Sequence, residues 1–117
     1  MTNHIRKVVE ISITEGQLEE FKNVARIFID RVNASEPDTL SYEWFLNDDG
    51  SKCYVIEWYK DSEALMTHLA NIGDLYEPLF EVSEITRIEV FGDPSPEVKQ
   101  AHMAGTKFMN YWAGVWR

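Results

Sequence analysis

One histidine near the middle of the chain, His68, has the residue type and the setting that acid–base chemistry needs. It lies between Leu65 and Leu69, in a segment whose apolar residues recur at helical spacing, so it borders the buried stripe of a predicted helix. A neutral imidazole has a pKa close to the working pH and can take a proton from a phenol. The alternative is a structural histidine that makes one hydrogen bond. We predict that His68 is a catalytic base or a substrate anchor.

Aromatic side chains crowd the two segments on either side of residues 47–51. They are Tyr42, Trp44, Tyr54, Trp58 and Tyr59. Side chains of this kind line pockets for flat aromatic molecules, although they are also common in strands, cores and interfaces. We predict a substrate pocket with Trp58 as its main wall and with Trp44, Tyr42 and Tyr54 as further candidates.

Two glutamates, Glu43 and Glu57, are candidates for acid–base work on the same two segments. If Leu46 pairs with Lys52 across the predicted hairpin, both carboxylates lie on one face of the sheet. Paired carboxylates in unequal surroundings divide into an acid and a base. The alternative is that both glutamates face solvent or pair with a basic residue. Of the two, Glu57 is included in the predicted substrate pocket.

The composition argues against several other classes of protein. His4, His68 and His102 are scattered, with no acid or cysteine at ligand spacing, so we predict no metal and no cofactor. Haem is an alternative, with His68 or His102 as its axial ligand. A net charge of -9 disfavours nucleic acids and anionic membranes as partners. The single cysteine, Cys53, forms no internal disulfide, and no apolar run approaches the roughly 20 residues that span a bilayer. We therefore expect a cytoplasmic protein.

The elements that position these residues alternate as strand–helix–strand, twice over. Strands are predicted over residues 4–13, 40–47, 52–59 and 84–91. One helix is predicted to begin at Thr14, with Gln17 as its capping-box partner, and another at Asp61; Pro78 should interrupt regular structure. This order predicts a ferredoxin-like α+β fold with a four-stranded antiparallel sheet and both helices on one face. The uncovered face predicts a homodimer.

Residues 94–117 are predicted to extend a domain that covers residues 1–93. Ser95, followed by a proline and an acid, is typical of a helix start, and Gly105 suits its end. Residues 106–112 are predicted to add a last strand. Four aromatic residues lie in the final ten: Phe108, Tyr111, Trp112 and Trp116. We expect this extension to pack on the domain or on the dimer partner.

Two stretches resemble a known family. Residues 36–46 (EPDTLSYEWFL) and 53–69 (CYVIEWYKDSEALMTHL) contain a proline-led strand, a hairpin, the acidic–aromatic pair Glu57 and Trp58, an aspartate-capped helix and a histidine on that helix. They resemble the antibiotic biosynthesis monooxygenase superfamily over roughly residues 4–91. The resemblance implies a dimeric α+β barrel.

The resemblance also implies several chemistries. Some relatives oxidise phenolic or quinol-like compounds with oxygen and no cofactor, others degrade haem, and neighbouring families isomerise or cyclise small molecules. The cofactor-free oxygenases often place an asparagine, a tryptophan and a tyrosine in the pocket. Trp58 matches the tryptophan, whereas Tyr54 and Ala64 stand at the other two positions.

We therefore predict a cofactor-independent monooxygenase that acts on a small aromatic or quinol-like substrate. One alternative is a cofactor-free isomerase or cyclase of the same fold, which needs the same pocket and base but consumes no oxygen. The other is a non-enzymatic dimer that binds a small molecule or is structural, in which the aromatic residues are all core and interface.

Overall fold

A computed structural model describes residues 3–117, in which five strands form one sheet. The elements, in chain order, are β1 (Ile5–Ile13), α1 (Leu18–Ser35), β2 (Thr39–Leu46), β3 (Lys52–Tyr59), α2 (Ser62–Ile72), a 3-10 turn (Gly73–Leu75), α3 (Tyr76–Val82), β4 (Ser83–Phe91), α4 (Pro96–Ala101) and β5 (Lys107–Met109). The strand order is β2-β3-β1-β4-β5, and only the β4–β5 pair is parallel. The predicted ferredoxin-like fold is confirmed, and the chain after residue 94 contributes the fifth strand.

Strict alternation along β1 decides which face of the sheet is buried. Every second residue of this central strand is inaccessible: Ile5, Lys7, Val9, Ile11 and Ile13. Helix α1 packs its apolar stripe in the same core, with these buried residues: Phe21, Val24, Ala25, Phe28 and Val32. Burial of each large side chain contributes roughly 1.5–3 kcal/mol to stability. The core therefore lies between the helices and one face of the sheet, while the other face exposes apolar residues such as Phe45 and Ile56.

The β2–β3 hairpin is shifted by one residue from the predicted register. Leu46 pairs with Cys53 rather than with Lys52. The side chain of Asn47 accepts a hydrogen bond from the amide of Lys52 at 3.0 Å, and Gly50 takes the positive φ of 71° that closes the turn. β3 still begins at Lys52, as predicted, but each β2 residue from Tyr42 to Leu46 pairs with the β3 residue one position later than predicted.

Side chains alternate along a strand, so a shift of one residue changes which β2 side chains share a face with a given β3 side chain. Glu43 is opposite Ile56 and is exposed, whereas Glu57 is opposite Tyr42 and is buried. The prediction that Glu43 and Glu57 share a face is therefore wrong. Tyr42 and Trp44 share the face of Glu57 instead.

Two predicted helix boundaries also need correction. Helix α1 begins at Leu18 rather than at Thr14, because Gly16, at a φ of 82°, holds the chain in a turn before it. Pro78 does not interrupt regular structure, because it occupies the first turn of α3, where a backbone N–H has no helical partner to lose. The predicted cap at Asp61 is confirmed, since its carboxylate accepts the amide hydrogen of Ala64 at 2.9 Å.

The chain after residue 94 packs against the rest of the protein. Ser95 caps α4 by accepting the amide hydrogen of Val98, and Val98 is fully buried. β5 then pairs with β4, and Trp116 packs edge-on against Trp58 on the far face of the sheet. The division of the chain near residue 93 stays a prediction. Across residues 3–117, the helices include none with the length and apolar character needed to cross a membrane.

Candidate active site

A cavity of about 30 Å³ lies between the sheet and the helices, and we call it the inner cavity. Its ionisable lining residues are Lys7, Tyr42, Glu57, His68 and Tyr76; Trp44 adds an indole N–H, and the rest of the lining is apolar. A space of this size holds one or two water molecules. The inner cavity therefore brings together a histidine, a carboxylate, an amine and two phenols, all in a water-poor environment.

His68 contributes an imidazole ring whose orientation is fixed by a buried carboxylate. It lies on α2, is 2% exposed, and its Nδ1 is 2.8 Å and 3.1 Å from the two carboxylate oxygens of Glu36. A carboxylate only accepts hydrogen bonds, so Nδ1 carries the hydrogen. In the neutral ring, Nε2 then has a free lone pair, and it is 3.8 Å from Glu57 on the cavity wall. This is the arrangement of a general base with a carboxylate behind it.

Glu36 is itself held by a network of donors. Asn71 donates to one of its carboxylate oxygens at 2.7 Å, and Thr39 donates to the other, also at 2.7 Å. Burial on its own would raise the pKa of Glu36, but the hydrogen bonds from His68, Asn71 and Thr39 outweigh it and lower that pKa. Glu36 is therefore a fixed anion that stabilises an imidazolium form of His68.

Glu57 forms the other side of the site. It is 4% exposed, and Tyr59, two residues along the same strand, donates its hydroxyl hydrogen to it at 2.5 Å. Burial, reinforced by the charge of Glu57, raises the pKa of Tyr59 well above its usual value, and burial likewise raises the pKa of Tyr42. Both phenols therefore keep their protons at neutral pH, and Tyr59 acts as a hydrogen-bond donor to Glu57.

A larger pocket of about 470 Å³ adjoins the inner cavity, and we call it the outer pocket. The two spaces share four lining residues: Lys7, Tyr76, Ile85 and Ile88. The outer pocket adds Leu69, Phe80, Ala101, His102 and Met103. Its volume falls within the range of sites for small organic ligands, which the inner cavity by itself does not reach. The outer pocket therefore gives a substrate the room to bind and to extend towards His68.

The predicted site residues divide between the two faces of the sheet. His68, Glu57, Tyr42 and Trp44 line the inner cavity. Trp58 lies on the far face, where its indole N–H donates to Nδ1 of His4 at 3.0 Å.

Tyr54 lies on the far face too, where it donates to Glu10 at 2.7 Å. On that face the guanidinium of Arg6 lies 4.1 Å from the centre of the Trp58 ring. Trp58 and Tyr54 therefore have no contact with the inner cavity.

Sequence reasoning did not single out Glu36, Lys7 or Tyr76. A signal existed for Lys7, because it stands in register with Val9 and Ile11 on the apolar face of β1. No comparable signal existed for Glu36, which is 32 residues from its partner His68. In residues 3–117, no three histidine, cysteine or acidic side chains come close enough together to hold a metal ion.

The chain belongs to the antibiotic biosynthesis monooxygenase family, whose model matches residues 4–103. A search of curated proteins gives no match. Among solved structures, it is similar to MupZ from Pseudomonas fluorescens, with 28% identity, a TM-score of 0.85, and coverage of 98% of this chain and 95% of that one.

Two more distant structures share the fold. One is SnoaB from Streptomyces nogalater, a cofactor-independent oxygenase solved as a mutant, with 18% identity, a TM-score of 0.67, and coverage of 80% of this chain and 95% of that one. The other is a conserved protein from Methanosarcina mazei, with 18% identity, a TM-score of 0.67, and coverage of 79% and 94%. At these identities the likeness shows the fold alone.

Proposed function

We propose that this protein is a cofactor-independent monooxygenase that acts on a small aromatic or quinol-like substrate. The observation that carries the proposal is the His68–Glu36 pair, which holds the ring with Nδ1 at Glu36 and leaves Nε2 for a substrate at the inner cavity. Membership of the family supports the reaction class, and the description of SnoaB as a cofactor-independent oxygenase supports the lack of a cofactor. The substrate class rests on the apolar and aromatic lining of the site.

In the proposed reaction, His68 takes a proton from an acidic O–H or C–H bond of the substrate. Glu36 and Glu57 stabilise the resulting imidazolium, and the desolvated substrate anion transfers an electron to oxygen. The substrate supplies all the electrons. In a phenolic substrate with a ring CH₂ group, such as an anthrone, the CH₂ becomes a carbonyl group; a quinol becomes a hydroxylated quinone. In both cases one atom of O₂ enters the product and the other leaves as water with two hydrogens from the substrate. The protein supplies burial, orientation and the base.

Oxygen consumption with a panel of quinols and a dihydroxyanthrone tests this proposal. The key variant is His68→Asn, whose amide can still donate to Glu36 but has no nitrogen at the Nε2 position. We expect turnover by this variant to fall by about 10²–10⁴-fold, the usual contribution of a general base. The matched control is His4→Asn, since His4 lies on the far face of the sheet and contacts Trp58. Equal oxygen uptake by wild type and His68→Asn would show that His68 takes no part in the reaction.

A second candidate, a cofactor-free isomerase or cyclase, is favoured by the surroundings of Glu57. Its carboxylate lines the inner cavity and is 3.8 Å from Nε2 of His68, so two groups that can each hold a proton face the same small space. Such a set suits the transfer of a proton between two atoms of one substrate. Turnover of an unsaturated cyclic ketone under nitrogen, with uptake of deuterium from D₂O, would favour this candidate over the oxygenase.

The proposal includes a homodimer in the cytoplasm. The far face of the sheet exposes Phe45 and Ile56, at 49% and 43%, and a second copy of the chain would cover them. The single cysteine, Cys53, is buried and free, which suits a reducing compartment. Light scattering should give a molar mass for the wild-type protein of twice the 13.6 kDa chain mass. The molar mass of Phe45→Glu should equal one chain mass. A wild-type protein of one chain mass would contradict the dimer.

A further inference from the structure

Lys7 is a buried amine in the middle of the sheet. It lies on the central strand β1, is 3% exposed, and is paired across the ladders with Glu57 and Val90. Lysine is almost never fully buried unless it is paired. Although Glu57 is its cross-strand neighbour, none of the carboxylates in residues 3–117 comes within 4.0 Å of its nitrogen. The site therefore contains a buried amine without a close counter-charge.

The position of Lys7 allows its amine to contact a bound ligand. Lys7 lines both the inner cavity and the outer pocket, so a ligand that extends from one space to the other must pass it. Burial lowers the pKa of Lys7, and the charge of Glu57 opposes that shift. An anionic ligand group beside the amine would favour its charged form in the same way and offset the cost of its burial.

His102 adds a second polar group to the lining of the outer pocket. Its Nδ1 donates to the carbonyl oxygen of Val98 at 2.7 Å, so its Nε2 is an acceptor, and this atom is buried with no partner in the described part of the chain. Burial, with the nearby charge of Lys7, lowers the pKa of His102 to about 4, so the ring is neutral at pH 7. It therefore suits a hydroxyl or N–H group of a ligand and not an anion.

We propose that the outer pocket binds an amphipathic organic acid whose oxyanion contacts Lys7 and whose apolar body lies among Phe80, Ile85 and Met103. The carboxylate anchors the molecule at the junction of the two spaces, and the adjoining carbon atoms extend into the inner cavity towards His68. A hydroxyl group on the apolar body would meet Nε2 of His102. This inference rests on the proposed function only in taking the inner cavity as the place of reaction.

Two fluorescent probes that differ in one charged group test the inference. Anilinonaphthalene sulfonate carries an anionic group, phenylnaphthylamine is the same ring system without it, and both fluoresce in apolar pockets. In Lys7→Met, we expect the Kd of the sulfonate to rise by about tenfold or more, since a contact with a charged group is lost. The Kd of phenylnaphthylamine should stay unchanged. The matched control is Lys60→Met, because Lys60 is exposed and lines neither space.

The site of probe binding is checked with Ala101→Trp, which places a large side chain at the outer pocket and should weaken the binding of both probes. A second measurement uses wild-type protein alone, in case Lys7→Met does not fold. Naphthoate should displace phenylnaphthylamine at a concentration about tenfold or more below that needed for methylnaphthalene. Equal sulfonate affinity in wild type and Lys7→Met, or equal competition by the acid and the hydrocarbon, would overturn the inference.

The probes report binding without turnover, so the two proposals fail separately. If Lys7 governs the affinity for the sulfonate but no quinol consumes oxygen, the organic-acid site stands and the oxygenase proposal falls. If oxygen uptake depends on His68 but the affinity for the sulfonate does not depend on Lys7, the oxygenase proposal stands and the organic-acid site falls.

Discussion

Replacement of Glu36 by glutamine should destabilise the protein by about 2–4 kcal/mol at pH 7. The carboxylate of Glu36 accepts hydrogen bonds from His68, Asn71 and Thr39. Glutamine has one carbonyl oxygen, so in either orientation its NH₂ group faces at least one donor. The variant loses one or two hydrogen bonds to a charged acceptor and leaves a buried donor unsatisfied, and each such loss costs roughly 1–3 kcal/mol.

Urea unfolding followed by circular dichroism gives the free energy of unfolding for the comparison. The control is Glu43→Gln, since Glu43 is exposed and its one hydrogen bond, from Ser41, is 3.4 Å long. We expect this control to lie within about 0.5 kcal/mol of wild type. A loss of the same small size in Glu36→Gln would refute the network as a source of stability.

The pH dependence gives a second test of the same residue. The pKa of Glu36 is lowered in the folded state, so its contribution is complete above the unfolded-state value of about 4.3 and is lost as the pH falls through the lower folded value. The difference in stability between wild type and Glu36→Gln should therefore narrow below about pH 4. A difference that stays constant down to pH 2 would mean that the folded state does not favour the ionised form.

Three further predictions concern the fold that holds the site. Phe28→Ala should cost about 3–5 kcal/mol in urea unfolding, because this buried ring packs against Trp44 on the cavity wall. Asp61→Ala should cost about 1 kcal/mol in the same assay, because it removes the cap of the helix that carries His68. Gly92→Ala should lower the melting temperature measured by calorimetry, because Gly92 has a φ of 120° and a Cβ there would come within 2.8 Å of the carbonyl oxygen of His4.

Local patterns were sufficient to predict most of the fold. The alternation of β1 and the helical stripe of α1 each identify a buried face, and the caps at Asp61 and Ser95 mark where helices begin. These signals lie within a few residues of one another, so a single sequence contains them. The start of α1 was missed because Thr14 has the residue type of a cap, while Gly16 allows the turn that delays the helix.

The site was less accessible to sequence reasoning because it depends on register and on distant contacts. A shift of one residue in the β2–β3 hairpin decides whether Tyr42 or Glu43 accompanies Glu57, and turn composition fixes the register only to within a residue or two. Trp58 alternates with Glu57 along β3 and so lies on the opposite face. The contact between Glu36 and His68 joins the end of α1 to α2, which no local pattern specifies.

The central claim is that a substrate reacts in the inner cavity beside Nε2 of His68. A crystal structure of the protein with a dihydroxyanthrone, grown and frozen under nitrogen so that no oxidation occurs, tests it most directly. The account predicts that the ring system occupies the outer pocket and that a substrate oxygen or the reactive carbon lies within about 3.5 Å of Nε2. A ligand bound only on the far face beside Trp58, with the inner cavity unchanged, would contradict it.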